Sequence, residues 1–127
     1  MRVNEVPAEI VSLVDKDAGQ AIYEATQKYG NGINIKVPNI DYSGTVNYEN
    51  DTPTAGIFAD IFFRFDSDRD HISEFYIEVY YEMDEAGAIY SSDTQEDIVY
   101  KVMSEIESRM READNRRSTG RYGYRRN

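Results

Sequence analysis

Carboxylates are the side chains in this sequence whose types and spacing could do chemistry. Asp66, Asp68 and Asp70 stand at alternate positions in the run Asp66-Ser67-Asp68-Arg69-Asp70-His71. That spacing copies the first three ligand positions of a calcium loop, where a hard cation gathers several carboxylate oxygens on a tight turn. The match stops there. His71 stands where the turn needs glycine, Ile77 stands where a bidentate glutamate belongs, and strands rather than helices flank the loop. A solvated, charged hairpin loop is the favoured reading, and no metal or cofactor is expected.

Asp60 and Glu78 form the second arrangement. They lie on two long strands, Ile57–Phe65 and Ser73–Met83, that the charged loop joins. Opposed residues share a face, so register decides whether the two carboxylates meet. Pairing Phe63 with Phe75 sets Arg64 opposite Glu74, Phe62 opposite Tyr76 and Phe58 opposite Tyr80, all favourable. It also sets Asp60 opposite Glu78, roughly 5 Å apart, where they repel unless a cation, a shared proton or a basic partner intervenes. Shifting the pairing by two places Asp60 opposite Tyr80 and Glu78 opposite Phe62 instead. General acid–base work also needs a pocket, and nothing in the sequence marks one. His71 is the sole histidine, on a loop whose nearest hydroxyls are Ser67 and Ser73. A non-enzymatic role is expected.

The elements that position these groups follow from periodicity. Along the two long strands, Ile57, Ala59, Ile61, Phe63 and Phe65, with Phe75, Ile77, Val79, Tyr81 and Met83, form an apolar face. Phe58, Asp60, Phe62, Tyr76, Glu78, Tyr80 and Glu82 form an aromatic-acidic face opposite it. Residues 7–29 carry one apolar stripe at helical spacing, from Ile10 and Val14 to Ala25 and Tyr29, with a candidate break near Asp15–Asp17. Ile33–Val37 reads as a short strand ended by Pro38, and Asn39–Gly44 as a connection. Thr45–Tyr48 reads as a weaker strand, Glu49–Gly56 as a turn or loop, and Asp84–Ser91 as a loop. Ser92 or Asp93 then caps an amphipathic helix that runs to about Asp114.

The order helix, four strands, helix predicts an α+β fold: a four-stranded antiparallel meander with a long central hairpin, flanked by N-terminal and C-terminal helices. Double-stranded-RNA-binding domains share a helix–strands–helix order, but here the last helix opens with acids, so that family is not assigned. Two helices cover one face of such a sheet, and the Ile/Val/Phe face has the stronger claim. The aromatic-acidic face would then remain as an exposed patch, the usual mark of an interface.

Composition narrows the partner. The 127 residues fit one domain, 1–114, with an Arg/Tyr/Gly tail, 115–127, expected to be disordered. The absence of cysteine excludes disulfides, thiolate catalysis and cysteine-ligated zinc. No signal-like or membrane-spanning stretch is evident, so a soluble cytoplasmic protein without membrane contact is expected. The net charge of −10 hides an asymmetry. Arg116, Arg117, Arg121, Arg125 and Arg126 give the tail +5, leaving nine basic against all 24 acidic residues elsewhere, or −15. Such a body repels nucleic acid and attracts basic surfaces.

The favoured expectation is a small acidic binding protein that engages a basic, nucleic-acid-handling protein, its spaced carboxylates standing in for phosphates. In charge and size it is similar to phage-encoded inhibitors of restriction or CRISPR effectors and to immunity proteins of nuclease toxins. Homodimerisation through the aromatic face is the nearest competitor. A second class is a nucleic-acid-binding accessory protein whose Arg116–Arg126 tail, with Tyr122 and Tyr124, contacts single strands by charge and stacking. A third is a divalent-metal protein or enzyme using Asp60, Glu78 and the Asp66–Asp70 loop.

Overall fold

The computed structural model describes residues 5–67 and 72–126, with the side chains of Asn31, Ser67 and residues 113–126 outside that description. Helix α1 (Ala8–Tyr29) leads into four strands, β1 (Ile33–Glu49), β2 (Thr52–Ser67), β3 (Ile72–Met83) and β4 (Ile89–Ser91), and helix α2 (Gln95–Arg126) closes the chain. The strands form one antiparallel sheet in the order β1-β2-β3-β4, and both helices pack on the same face of it. This is the expected α+β meander. Its strand boundaries differ from the expected ones.

β1 is one long strand where two short ones and a connection were expected. Pro38 does not end it. The pairing runs Lys36 with Arg64 and then Asn39 with Phe62, so one extra residue is absorbed between Lys36 and Asn39. A bulge leaves a residue without ladder bonds, which suits proline because it has no N–H to donate. The extra residue also changes which positions face inward. Before the bulge Ile33 and Ile35 face the helices; after it Ile40, Tyr42 and Val46 do. The expected Glu49–Gly56 loop shrinks to a two-residue turn at Asn50 and Asp51, both with positive φ (53° and 64°), a geometry that Asn and Asp tolerate. The expected Asp84–Ser91 loop contributes β4, which pairs with Tyr81–Met83.

α1 is continuous through Asp15–Asp17, so the candidate break is absent. The cap of α2 falls at Thr94 rather than at Ser92 or Asp93: the Asp97 N–H donates to Thr94 Oγ1, and the Thr94 N–H donates to Asp97 Oδ2. The helical backbone of α2 passes the Asp114 boundary and continues to Arg126; no proline interrupts it, and the arginines beyond Asp114 are tolerated in a helix although Gly120 and Gly123 are not favoured there. The tail candidates Arg116, Arg117, Arg121, Tyr122, Tyr124, Arg125 and Arg126 have side chains outside the described residues.

The core lies between the sheet and the two helices. Ile57, Ala59, Ile61, Phe63 and Phe65 from β2 meet Val79 and Tyr81 from β3, and Ile10, Val14, Ile98, Val102 and Ile106 from the helices. Phe63 and Phe75 stack at 5.3 Å between ring centroids. One acid enters this layer. Asp17 is only 6% exposed, accepts a 2.9 Å hydrogen bond from the Tyr81 hydroxyl, and has Gln95 Nε2 at 3.4 Å. Burial pushes the Asp17 carboxyl above its ordinary range, while Tyr81, Lys16 and Gln95 favour the ionised form. The Tyr81 hydroxyl is itself pushed up, first by burial and then by Asp17. Two polar contacts to one carboxylate thus tie α1, β3 and α2 together.

Removing the hydroxyl in Tyr81→Phe leaves Asp17 with the longer Gln95 contact alone. The variant is expected to lose about 1.5–3 kcal/mol, the usual cost of a hydrogen bond to a charged group, in urea denaturation followed by circular dichroism. An unchanged midpoint would show that the contact does not support the fold.

Candidate functional site: the open face of the sheet

The helices leave the other face of the sheet uncovered. Phe58 is 40% exposed and Tyr76 57%. Register arranges this face in rows that cross the strands. Phe63 pairs with Phe75, so the pairing that joins the two carboxylates is the one adopted. Asp60 lies between Glu78 on β3 and Asp41 on β1. Three acids therefore share one row.

Aromatic rows flank it on both sides. Phe62 and Tyr76 form one, with ring centroids 5.3 Å apart; Phe58 and Tyr80 form the other, at 4.8 Å. Beyond the first aromatic row, Lys36, Arg64 and Glu74 form the basic end of the face. Past the second, Thr45, Gly56, Glu82 and Tyr90 complete the opposite end. Gly56 matters here for its missing side chain. A Cβ at that position would lie 2.6 Å from the Tyr80 hydroxyl oxygen, so glycine lets the Tyr80 ring lean along the sheet. Tyr80 then donates to Glu82 at 2.8 Å, and Tyr90 donates to the other carboxylate oxygen of Glu82.

The acids consequently differ. The Tyr90 and Tyr80 hydroxyls hold the Glu82 carboxyl below the ordinary glutamate range. Glu78 goes the other way: desolvation raises it most, and a hydrogen-bonded contact with Asp60 and the Asp60 charge add to the rise. Asp60 Oδ1 is buried with no hydrogen-bond partner, and Asp41 accepts from Asn39 Nδ2 at 2.9 Å. Across the middle of the face, two carboxylates lie in contact, and among the described residues no basic side chain pairs with either.

All seven expected face residues, Phe58, Asp60, Phe62, Tyr76, Glu78, Tyr80 and Glu82, come together here. Asp41 joins them from the stretch expected to be a connection. Its signal was the alternation of Ile40 and Tyr42 with Asn39, Asp41 and Ser43. Asp66 lies at the end of β2, with Arg64 Nε at 3.7 Å. Asp68, Asp70 and His71 lie outside the described residues. Among the described residues, no group of three or more His, Asp or Glu is arranged to hold a metal ion. No helix of the described residues is long and apolar enough to cross a membrane. Grooves also lie elsewhere among the described residues. One of about 540 Å³ runs between α1 and the β1 bulge, lined by Val11, Ile22, Val37 and Tyr42. Another of about 400 Å³ runs between the helices, lined by Gln20, Lys28, Tyr100 and Met103.

A glutamate held above its ordinary range opposes folding once it ionises. The stability linked to Glu78 is fully present below the unfolded glutamate value, about 4.3, and is lost as pH rises through the higher folded value. Glu78→Gln keeps the shape without the charge. Its melting temperature is therefore expected to exceed the parent's slightly at pH 7 and to converge with it below about pH 4. Equal melting temperatures at both pH values would mean that the carboxylates do not repel. Comparison of the chain with protein-family models, curated proteins and solved structures finds no match, so the functional reading rests on this geometry.

Proposed function

We propose that the chain is a small acidic binding protein, without catalytic activity of its own, that inhibits a basic nucleic-acid-handling protein by occupying its phosphate-binding groove. The observation that carries this reading is the uncovered row Asp41–Asp60–Glu78 between two aromatic rows. Strand pairing fixes the backbone spacing of its carboxylates, so only their side chains remain to be ordered when a partner arrives. Arginine presents a planar fork that suits carboxylate and phosphate alike, so a groove lined with arginines for phosphate also accepts such a row. Phe58, Phe62, Tyr76 and Tyr80 supply the apolar anchors and cation-stacking surfaces that bare charge lacks. A net charge of −10 steers the chain toward positive partners and away from nucleic acid. Phage anti-restriction or anti-CRISPR proteins and nuclease-immunity proteins are the biological settings for such a surface.

The experiment is inhibition of a panel of restriction endonucleases, CRISPR effector nucleases and colicin-type nucleases, with circular dichroism on each variant. Phe62→Ser with Tyr80→Ser is expected to keep the folded signal and weaken inhibition by about 2 kcal/mol or more, as truncated aromatic anchors do. Asp60→Lys with Glu78→Lys is expected to slow association and to flatten its dependence on salt. Folded variants that inhibit as well as the parent would remove this face from the interaction. Light scattering that gave a dimer dissociated by the aromatic pair would assign the face to self-association instead.

A further inference from the structure

We infer that the outer edge of β3 receives an extended, arginine- or lysine-bearing segment of the partner as a fifth strand, beside the acidic row. This rests on the reading of a basic partner and adds the mode of capture. The two edges of the sheet are not equivalent. β1 is interrupted by its bulge and by Gly44, whose φ is +126°, and such irregularities discourage strand addition. β3 is regular. β4 pairs only with Tyr81–Met83, and among the described residues no strand lies beside Ile72–Val79.

Backbone polarity along that edge can be read from one bond. The Ser92 N–H donates to the Tyr80 carbonyl at 3.2 Å, so Tyr80 turns its peptide groups away from β2. Peptide direction repeats every second residue in an antiparallel ladder. Glu74, Tyr76 and Glu78 therefore also direct N–H and C=O outward, whereas Phe75, Ile77 and Val79 bond to β2. The residues with free-facing peptides are the ones whose side chains stand on the open face. A strand added here sets its own side chains directly beside Glu74, Tyr76 and Glu78, about 5.5 Å away between Cα atoms.

Charge decides what that strand carries. Glu78 has Asp60 on its β2 side and, among the described residues, no strand on its outer side. A guanidinium or ammonium opposite it supplies the cation that the carboxylate pair lacks, and the exposed Tyr76 ring offers a face for the same cation. Glu74, four residues earlier, takes a second cation spaced four residues along the added strand. Main-chain bonds give such additions their affinity and alternate side chains their selectivity.

The test uses the full chain and two capped synthetic peptides of equal charge. One has arginine at every fourth position with threonine and valine between. The other replaces the alternate residues by proline, which cannot donate to a ladder. Binding is followed by fluorescence anisotropy, and amide protection by hydrogen exchange. The first peptide is expected to protect the Glu74, Tyr76 and Glu78 amides and to bind about ten-fold more tightly than the second. Glu78→Gln is expected to weaken it several-fold while leaving the protection pattern of the bound form intact. Equal binding of both peptides without new protection would overturn strand addition and leave the basic-partner reading standing. Failure of both peptides to bind would also overturn it, the parent reading then being judged by the nuclease panel. Protection of the same amides without peptide, with doubled mass in light scattering, would assign the edge to a second copy of this chain and overturn the inference.

Discussion

Side chains on a strand must alternate between its two faces, and this sheet has helices on only one of them. Every inward position has to be apolar or satisfied, and every outward one must tolerate water. β2 and β3 obey without interruption, so their inner face forms most of the sheet's share of the core and their outer face is left to aromatics and acids. β1 obeys only because the bulge at Pro38 moves the inward set from odd to even positions. Without that one residue, Tyr42 would turn to solvent and Asp41 would turn toward the helices. The rows of the open face and the outward peptides of β3 are consequences of the same alternation.

Two kinds of carboxylate result. Asp17 is the buried kind, and it is satisfied: the Tyr81 hydroxyl and Gln95 surround it, offsetting part of the cost of taking it out of water. Asp60 and Glu78 are the surface kind, and their nearest charged neighbours across the ladder are each other and Asp41. A fold under selection for stability alone has easy ways to remove such a row, since uncharged residues suit the same strand positions. On the proposed reading, a basic partner supplies the charge that offsets this row.

Much of this was legible in the sequence, for a local reason. The β2–β3 register follows because Phe63 with Phe75, Phe62 with Tyr76 and Arg64 with Glu74 all favour one alignment, and the strict alternation leaves few others. β1 was not legible because Pro38 resembles a strand end; the change from Ile33, Ile35 and Val37 to Ile40, Tyr42 and Val46 was the available sign of a bulge. β4 is three residues long, too short for any period to register. Asp17 interrupts an apolar helical stripe, which reads as a break when its partner Tyr81 is 64 residues away. Non-local satisfaction of a polar group leaves no local trace.

The turn at Asn50–Asp51 bears on how the chain reaches this structure. Two residues join arms that pair from Glu49–Thr52 outward to Ile33–Ser67. Closing so short a loop costs little chain entropy, and each later pair extends a ladder already begun. Contacts between residues far apart in sequence, such as Ile35 with Phe65, thus lie on a ladder that a zipper from the turn can reach without a long loop closure. The meander repeats this economy from β2 to β3 and from β3 to β4. The large closure left is that of α1 on α2, where Lys28 meets Glu107 at 3.3 Å across 79 residues. The sheet places α1 and α2 on the same face, so most pairings in this strand-rich protein join elements that are neighbours in sequence.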